Sequence, residues 1–177
     1  PLHSIVKLTV EQKGFVHGSL LLDNAGYEST GKYQGTMYVS FSQLAGLNDT
    51  LSTSITKDIG HHGDGHGSKQ YAVNYAVPDG NRMYRLSTYQ YSYHQLVFMP
   101  EAFRSSGNTR GVEFSVEQVL NRTSRSKTAA VAKVIHKTRH SYIDDIEIGV
   151  QEQHTTALEL GLSHRQYSGN TMSDIYL

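Results

Sequence analysis

The sequence predicts an all-β chain of antiparallel strands, and three observations carry that prediction. Apolar and polar residues alternate one for one in most segments. In the clearest, Lys32 to Ser42, Tyr33, Gly35, Met37, Val39 and Phe41 interleave with Lys32, Gln34, Thr36, Tyr38, Ser40 and Ser42. Side chains of a strand alternate faces, so this segment has one apolar and one polar face. Turn chemistry punctuates the segments: Asp23-Asn24-Ala25-Gly26, Gly46-Leu47-Asn48-Asp49 and Pro78-Asp79-Gly80-Asn81, with Gly and Asn able to take positive φ. The composition of the 177 residues, 37% apolar with Gly 16, Tyr 12 and Pro 3, suits a many-turned sheet or a wet-interior barrel better than a helical bundle.

Taken in order, Ser4 to Glu11 alternates briefly through Val6, Leu8 and Val10, and Phe15 to Leu22 places Val16, Leu20 and Leu22 on one face. Leu51 to Lys57 puts Leu51, Thr53 and Ile55 together. Ile59 to Ser68 is too glycine-rich for regular structure and reads as a loop. Gln70 to Val77 aligns Tyr71, Val73, Tyr75 and Val77 before Pro78, which cannot donate to a continuing ladder. Met83 to Val97 is ambiguous in phase: Tyr84 and Leu86 share one face, Tyr89, Tyr91 and Tyr93 the other, and a bulge would reconcile them. Phe98 to Asn108 reads as a longer loop around Pro100. Beyond Arg110 the apolar rows are Val112, Phe114 and Val116; Ala130, Ala132 and Val134; Ile146, Ile148 and Val150; and Leu158, Leu160 and Leu162. About ten strand segments result, with no helix.

The polar faces of this second half carry Glu113 and Glu117, then Lys133 and Lys137, then Glu147, then Glu159 and Arg165. Acidic, basic, acidic and mixed strands in succession are how antiparallel neighbours pair across a polar wall. Two architectures fit: a soluble antiparallel sheet with one solvated face, or membrane-spanning barrel strands, which need about ten residues each. No apolar run approaches the ~20 residues of a transmembrane helix, so strands are the available way to span. Alternation by itself does not separate the two. Balanced charge, 16 basic against 16 acidic residues, gives no electrostatic case for nucleic acid. Cysteine is absent.

The ordered set DNAGYESTGKYQG (23–35), AGLND (45–49), YAVNYAVPDGN (71–81), YQYSYHQLV (89–97), the arginine of LNRTSRSKT (120–128) and LELGLSHRQYSG (158–169) resembles two-partner secretion transporters. These are outer-membrane proteins of the haemolysin-activator and filamentous-haemagglutinin-exporter type. The resemblance implies the N-terminal portion of a sixteen-stranded barrel over residues 15–177, incomplete here, with residues 1–14 the end of a POTRA-like domain or a linker. Pro1 is not a start residue, and the expectation is a piece of a longer protein. The implied function is a translocation pore that exports one large secreted partner, a haemolysin, adhesin or contact-dependent toxin. POTRA domains absent from this chain recognise that partner, outer-membrane lipid surrounds the barrel, and no cofactor is needed. Glu113, Glu117, Lys133, Lys137, Glu147, Glu159 and Arg165 are then lumen-facing. With the N-terminus periplasmic, connections 23–32, 58–69 and 97–109 face outside, while 45–50, 78–81 and 121–127 face the periplasm. The alternatives are a small self-closing outer-membrane barrel with a binding or structural role, or a soluble β-sheet binding module.

Other constellations read as follows. His61, His62 and His66, with Asp64 among them, are metal-ligand types, but so many glycines leave no second shell to orient them, and no physiological metal is expected. His140, Ser141, Asp144 and Asp145 are triad types crowded into one short loop, with no nucleophile signature, so no enzyme activity is expected. Tyr27, Tyr33, Tyr71, Tyr75, Tyr89, Tyr91, Tyr93 and Tyr142 are candidates for an interfacial aromatic girdle. Arg122 anchors either a turn or a lumenal network.

Overall fold

The computed structural model describes residues 14–60, 65–98, 100–168 and 171–177; the alternating segment Ser4 to Glu11 lies outside them. Ten strands form one antiparallel sheet: β1 (Val16–Asp23), β2 (Gln34–Ser42), β3 (Thr50–Asp58), β4 (His66–Asp79), β5 (Arg82–Phe98), β6 (Ala102–Arg122), β7 (Ser126–Ile143), β8 (Ile146–Glu147), β9 (Gln153–Ser168) and β10 (Thr171–Tyr176). Each strand neighbours its predecessor, except that β8 is a two-residue flap on β7, so that β9 also pairs with β7.

The register stacks the apolar rows. Leu20 lies across from Met37, Met37 from Ile55, Ile55 from Tyr71, and lower down Tyr75 faces Leu86, Leu86 Phe114, Phe114 Val134 and Val134 Leu158. One face of the sheet is therefore a continuous apolar band. No described residue covers it: Leu20 is 71% exposed, Leu160 73%, and Ala129 is the one buried apolar side chain among the described residues. Among the described residues the sheet has no second layer and no core.

Local chemistry accounts for the turns. The β2–β3 connection holds Gln43, Asn48 and Gly46 at positive φ. Asp144 and Asp145, at φ 46° and 64°, make the two-residue primed turn that matches strand twist. Pro78 sits inside β4 rather than ending it. β3 has already stopped at the Thr50–Ala76 pair, so Pro78 lies on an edge where its missing N–H costs no ladder bond.

Three expectations fail on register. β5 pairs with β4 and β6 without a bulge, because Leu86 between Tyr75 and Phe114 sets its phase; Tyr89, Tyr91 and Tyr93 then fall on the opposite face. The segment 98–108 is no long loop: Val97 pairs with Phe103 and Phe98 with Ala102, so the β5–β6 ladder continues through it. The row Ile146, Ile148, Val150 does not exist. The tight Asp144-Asp145 turn pairs Ile143 with Ile146 and Tyr142 with Glu147, and a short 3-10 turn over Gly149–Gln151 follows.

Candidate functional site

The second face of the sheet is polar and charged, and its charges meet across strands. Lys133 stands across from Glu159 with Nζ 2.7 Å from Oε2. Glu117 binds two cations, Lys127 Nζ at 2.6 Å from Oε1 and the Arg85 guanidinium at 3.2 Å from Oε2. Arg165 grips Asp174 through two nitrogens, at 2.7 and 3.1 Å. Glu113 and Lys137 share this face, opposite Ile135 and Gly111.

Glu147 does not. Standing across from Tyr142, it shares the face of His140, whose Nδ1 lies 2.6 Å from its Oε1. The primed turn inverts the phase that simple alternation assigned to it.

Sequence reasoning missed Arg85, Lys127 and Asp174. Arg85 was hidden by the ambiguous phase of β5, and Asp174 by the short final strand. Arg122 gains its place from an irregularity between Val119 and Asn121 in β6. The extra residue, Leu120, flips the following phase, so Arg122 stands across from Lys127, which in turn faces Arg165. The arginine therefore belongs to the charged face.

Tyr89, Tyr91 and Tyr93 also lie on this face and form no girdle. Tyr89 and Tyr93 cover Gly111 and Gly107, where an added Cβ would come within 2.4 and 2.6 Å of the rings. An aromatic ring laid over a facing glycine fills the gap that the missing side chain leaves. Tyr91 stacks on Tyr93 at 6.0 Å between centroids and interacts with Thr30 of the β1–β2 connection, so that connection reaches across to β5 on the charged face. Tyr71 and Tyr75 remain in the apolar phase.

At one end of the sheet the β2–β3 turn closes on Asp49, which is fully buried. Its carboxylate accepts the Ala45 N–H (3.1 Å), the Leu47 N–H (3.2 Å) and the Tyr75 hydroxyl (3.1 Å). Burial pushes its pKa up, but these hydrogen bonds outweigh that and hold it below the ordinary carboxylate value.

The remaining constellations come apart. His61 and His62 lie outside the described residues, while His66 opens β4. Among the described residues no three His, Cys, Asp or Glu side chains are placed to hold a metal ion. Ser141 and His140 are consecutive strand residues and point to opposite faces; Asp144 instead accepts the Arg104 backbone N–H at 2.8 Å.

A one-layer sheet with an uncovered apolar face and a self-paired charged face is the wall of a transmembrane β-barrel, because only lipid can solvate the first and a polar interior the second. The family comparison agrees. The chain matches the model of the haemolysin secretion/activation proteins ShlB/FhaC/HecB over residues 3–177 and belongs to that family.

Among relatives, it is 31% identical to the outer membrane transporter CdiB-2 of Burkholderia pseudomallei over 86% of this chain and 26% of that protein. It is 24% identical to the hemolysin transporter protein HpmB of Proteus mirabilis over 94% of this chain and 30% of that protein. The fold superposes on CdiB from Escherichia coli with a TM-score of 0.90 at 24% identity, covering 95% of this chain and 31% of that one. For CdiB from Acinetobacter baumannii the TM-score is 0.80 at 30% identity, over 92% and 31%. The chain thus spans about a quarter to a third of the proteins it matches. Like those relatives it is an outer-membrane protein.

Proposed function

We propose that this chain is one wall of an outer-membrane pore through which a large partner protein, a haemolysin, adhesin or contact-dependent toxin, is secreted. POTRA domains elsewhere in the parent protein recognise that partner. The carrying observation is the charged face, on which Glu117, Lys127, Arg85, Lys133, Glu159, Arg165 and Asp174 satisfy one another. In this reading Glu113, Glu117, Lys133, Lys137, Glu159 and Arg165 line the conduit, and Glu147 belongs to the outer surface. The end of the sheet bearing the 24–33, 59–65, 99–101 and 144–152 connections is extracellular, and the Asp49 turn is periplasmic.

A lumen in which seven of the charged side chains already pair with one another offers a passing chain little to bind there. Exposed pairs are worth only about 0–1 kcal/mol each, so the wall keeps the conduit wet without gripping its cargo. The test is deletion of the gene in its native host, followed by assay of the culture medium for the partner encoded beside it. Loss of release is expected; undiminished release overturns the reading.

A further inference from the structure

The apolar face carries one charged side chain in its central rows, Arg110, across from Gln90 in the row of Ile55 and Tyr71, and in the next row along the strands two lysines enter it. Lys57 and Lys69 are direct cross-strand partners on β3 and β4, two residues beyond Ile55 and Tyr71 and hence about 7 Å further along the strands. Like charges placed directly opposite each other destabilise a sheet, so this pair needs a compensating anion. Among the described residues no carboxylate forms an ion pair with Lys57, Lys69 or Arg104.

Lys69 Nζ lies 4.8 Å from the centroid of the Tyr71 ring, a cation–π contact that fixes the ammonium just above an aromatic at the edge of the band. Beside the pair opens a cavity of about 860 Å³, lined by Lys57, Lys69, Arg104, Asn108 and Tyr142 among others. Asn108 Oδ1 is buried there without a hydrogen-bond partner. Asp58 is the one carboxylate in the lining, and its Oδ1 already accepts the Gly60 N–H at 3.0 Å.

We infer that this patch is a lipid site: it seats the phosphorylated sugar headgroup of the glycolipid that forms the outer leaflet around the barrel. Cations complement the phosphates, Asn108 supplies an acceptor for a sugar hydroxyl, and the apolar band directly below accommodates the acyl chains. A free anion lacks that last contact, which is why the site is assigned to a lipid. The inference rests on the proposed orientation, with this end extracellular, but not on secretion of any partner.

The test is native mass spectrometry of the intact protein purified from outer membranes. Wild type is compared with K57Q/K69Q, with each single variant, and with K133Q on the charged face as control. Correct assembly is checked first by heat-modifiable gel migration. Reconstitution then uses bisphosphorylated lipid A, the same glycolipid without its phosphates, and inorganic phosphate as competitor. Retention of bisphosphorylated lipid A is expected to fall about tenfold in the double variant, partially in each single variant, and not in K133Q. Three outcomes overturn the assignment: equal retention by wild type and double variant, equal binding of the dephosphorylated glycolipid, or displacement of the lipid by millimolar inorganic phosphate. Partner release into the medium, measured on the same variants, separates failure of this inference from failure of the secretion reading.

Discussion

The two faces of β6 and β7 occupy the same stretch of backbone and obey opposite rules. Val112, Phe114, Val116, Ala132 and Val134 lie on one, Glu113, Glu117 and Lys133 on the other, and the register joins each set across the strands. In a soluble sheet the apolar set would be covered, because burial of apolar area is what stabilises a domain. Here Phe114 is 45% exposed and Leu158 67%, and no layer covers them among the described residues. The charged set has the reverse problem, and meets it with ion pairs across the strands. The same ladder of backbone hydrogen bonds serves both faces, and side chains alone choose the solvent of each.

The largest effect should come from putting a charge on the wrong face. V73R places a cation in the middle of the apolar band and should cost about 2–4 kcal/mol, whereas N74R, on the exposed charged face, should assemble normally. Heat-modifiable migration of the parent barrel in cold gels reads the difference, and equal behaviour of the two variants would invert the face assignment.

A smaller effect should follow from crowding the charged face. In G111V the new side chain meets the Tyr89 ring, where even a Cβ comes within 2.4 Å, and overpacking of this kind costs about 1–3 kcal/mol. G111V/Y89A should recover part of the loss, measured as the urea midpoint of the folded barrel. No recovery would mean that the glycine serves something other than the ring.

The Asp49 turn sharpens the comparison by holding a charge that neither face solvates. Its carboxylate is held below its unfolded pKa, so its contribution is fully present above the ordinary carboxylate range, about pH 4, and is lost as pH falls through the lower folded value. The urea midpoint of wild type should drop more than that of D49N between pH 5 and pH 2.5. Parallel curves would mean that the carboxylate is not the group that titrates.

The smallest stability change is expected where charges are paired and wet. E117Q leaves Arg85 and Lys127 without their carboxylate and should alter stability by less than about 1 kcal/mol, yet it should shift the ion selectivity of the parent pore toward anions. Single-channel reversal potentials in a salt gradient measure this; unchanged selectivity would remove Glu117 from the conduit wall.

What was legible in the sequence was what depends on neighbours within one strand. The alternation in Gln34–Ser42 and in the Leu158, Leu160, Leu162 row, the turns at Asn48 and Gly80, and the face of Lys133 and Glu159 all follow from period two and local turn chemistry. Family membership was legible too, from the ordered set of short segments. The tertiary structure was needed wherever phase depends on a partner strand. Leu86 between Tyr75 and Phe114 chose the face of the tyrosines in β5, the irregularity at Leu120 turned Arg122 toward Lys127, and the Asp144-Asp145 turn put Glu147 on the face of Tyr142 and His140. A one-residue change of register moves a side chain to the other face, and register is a property of pairs of strands that no single segment contains.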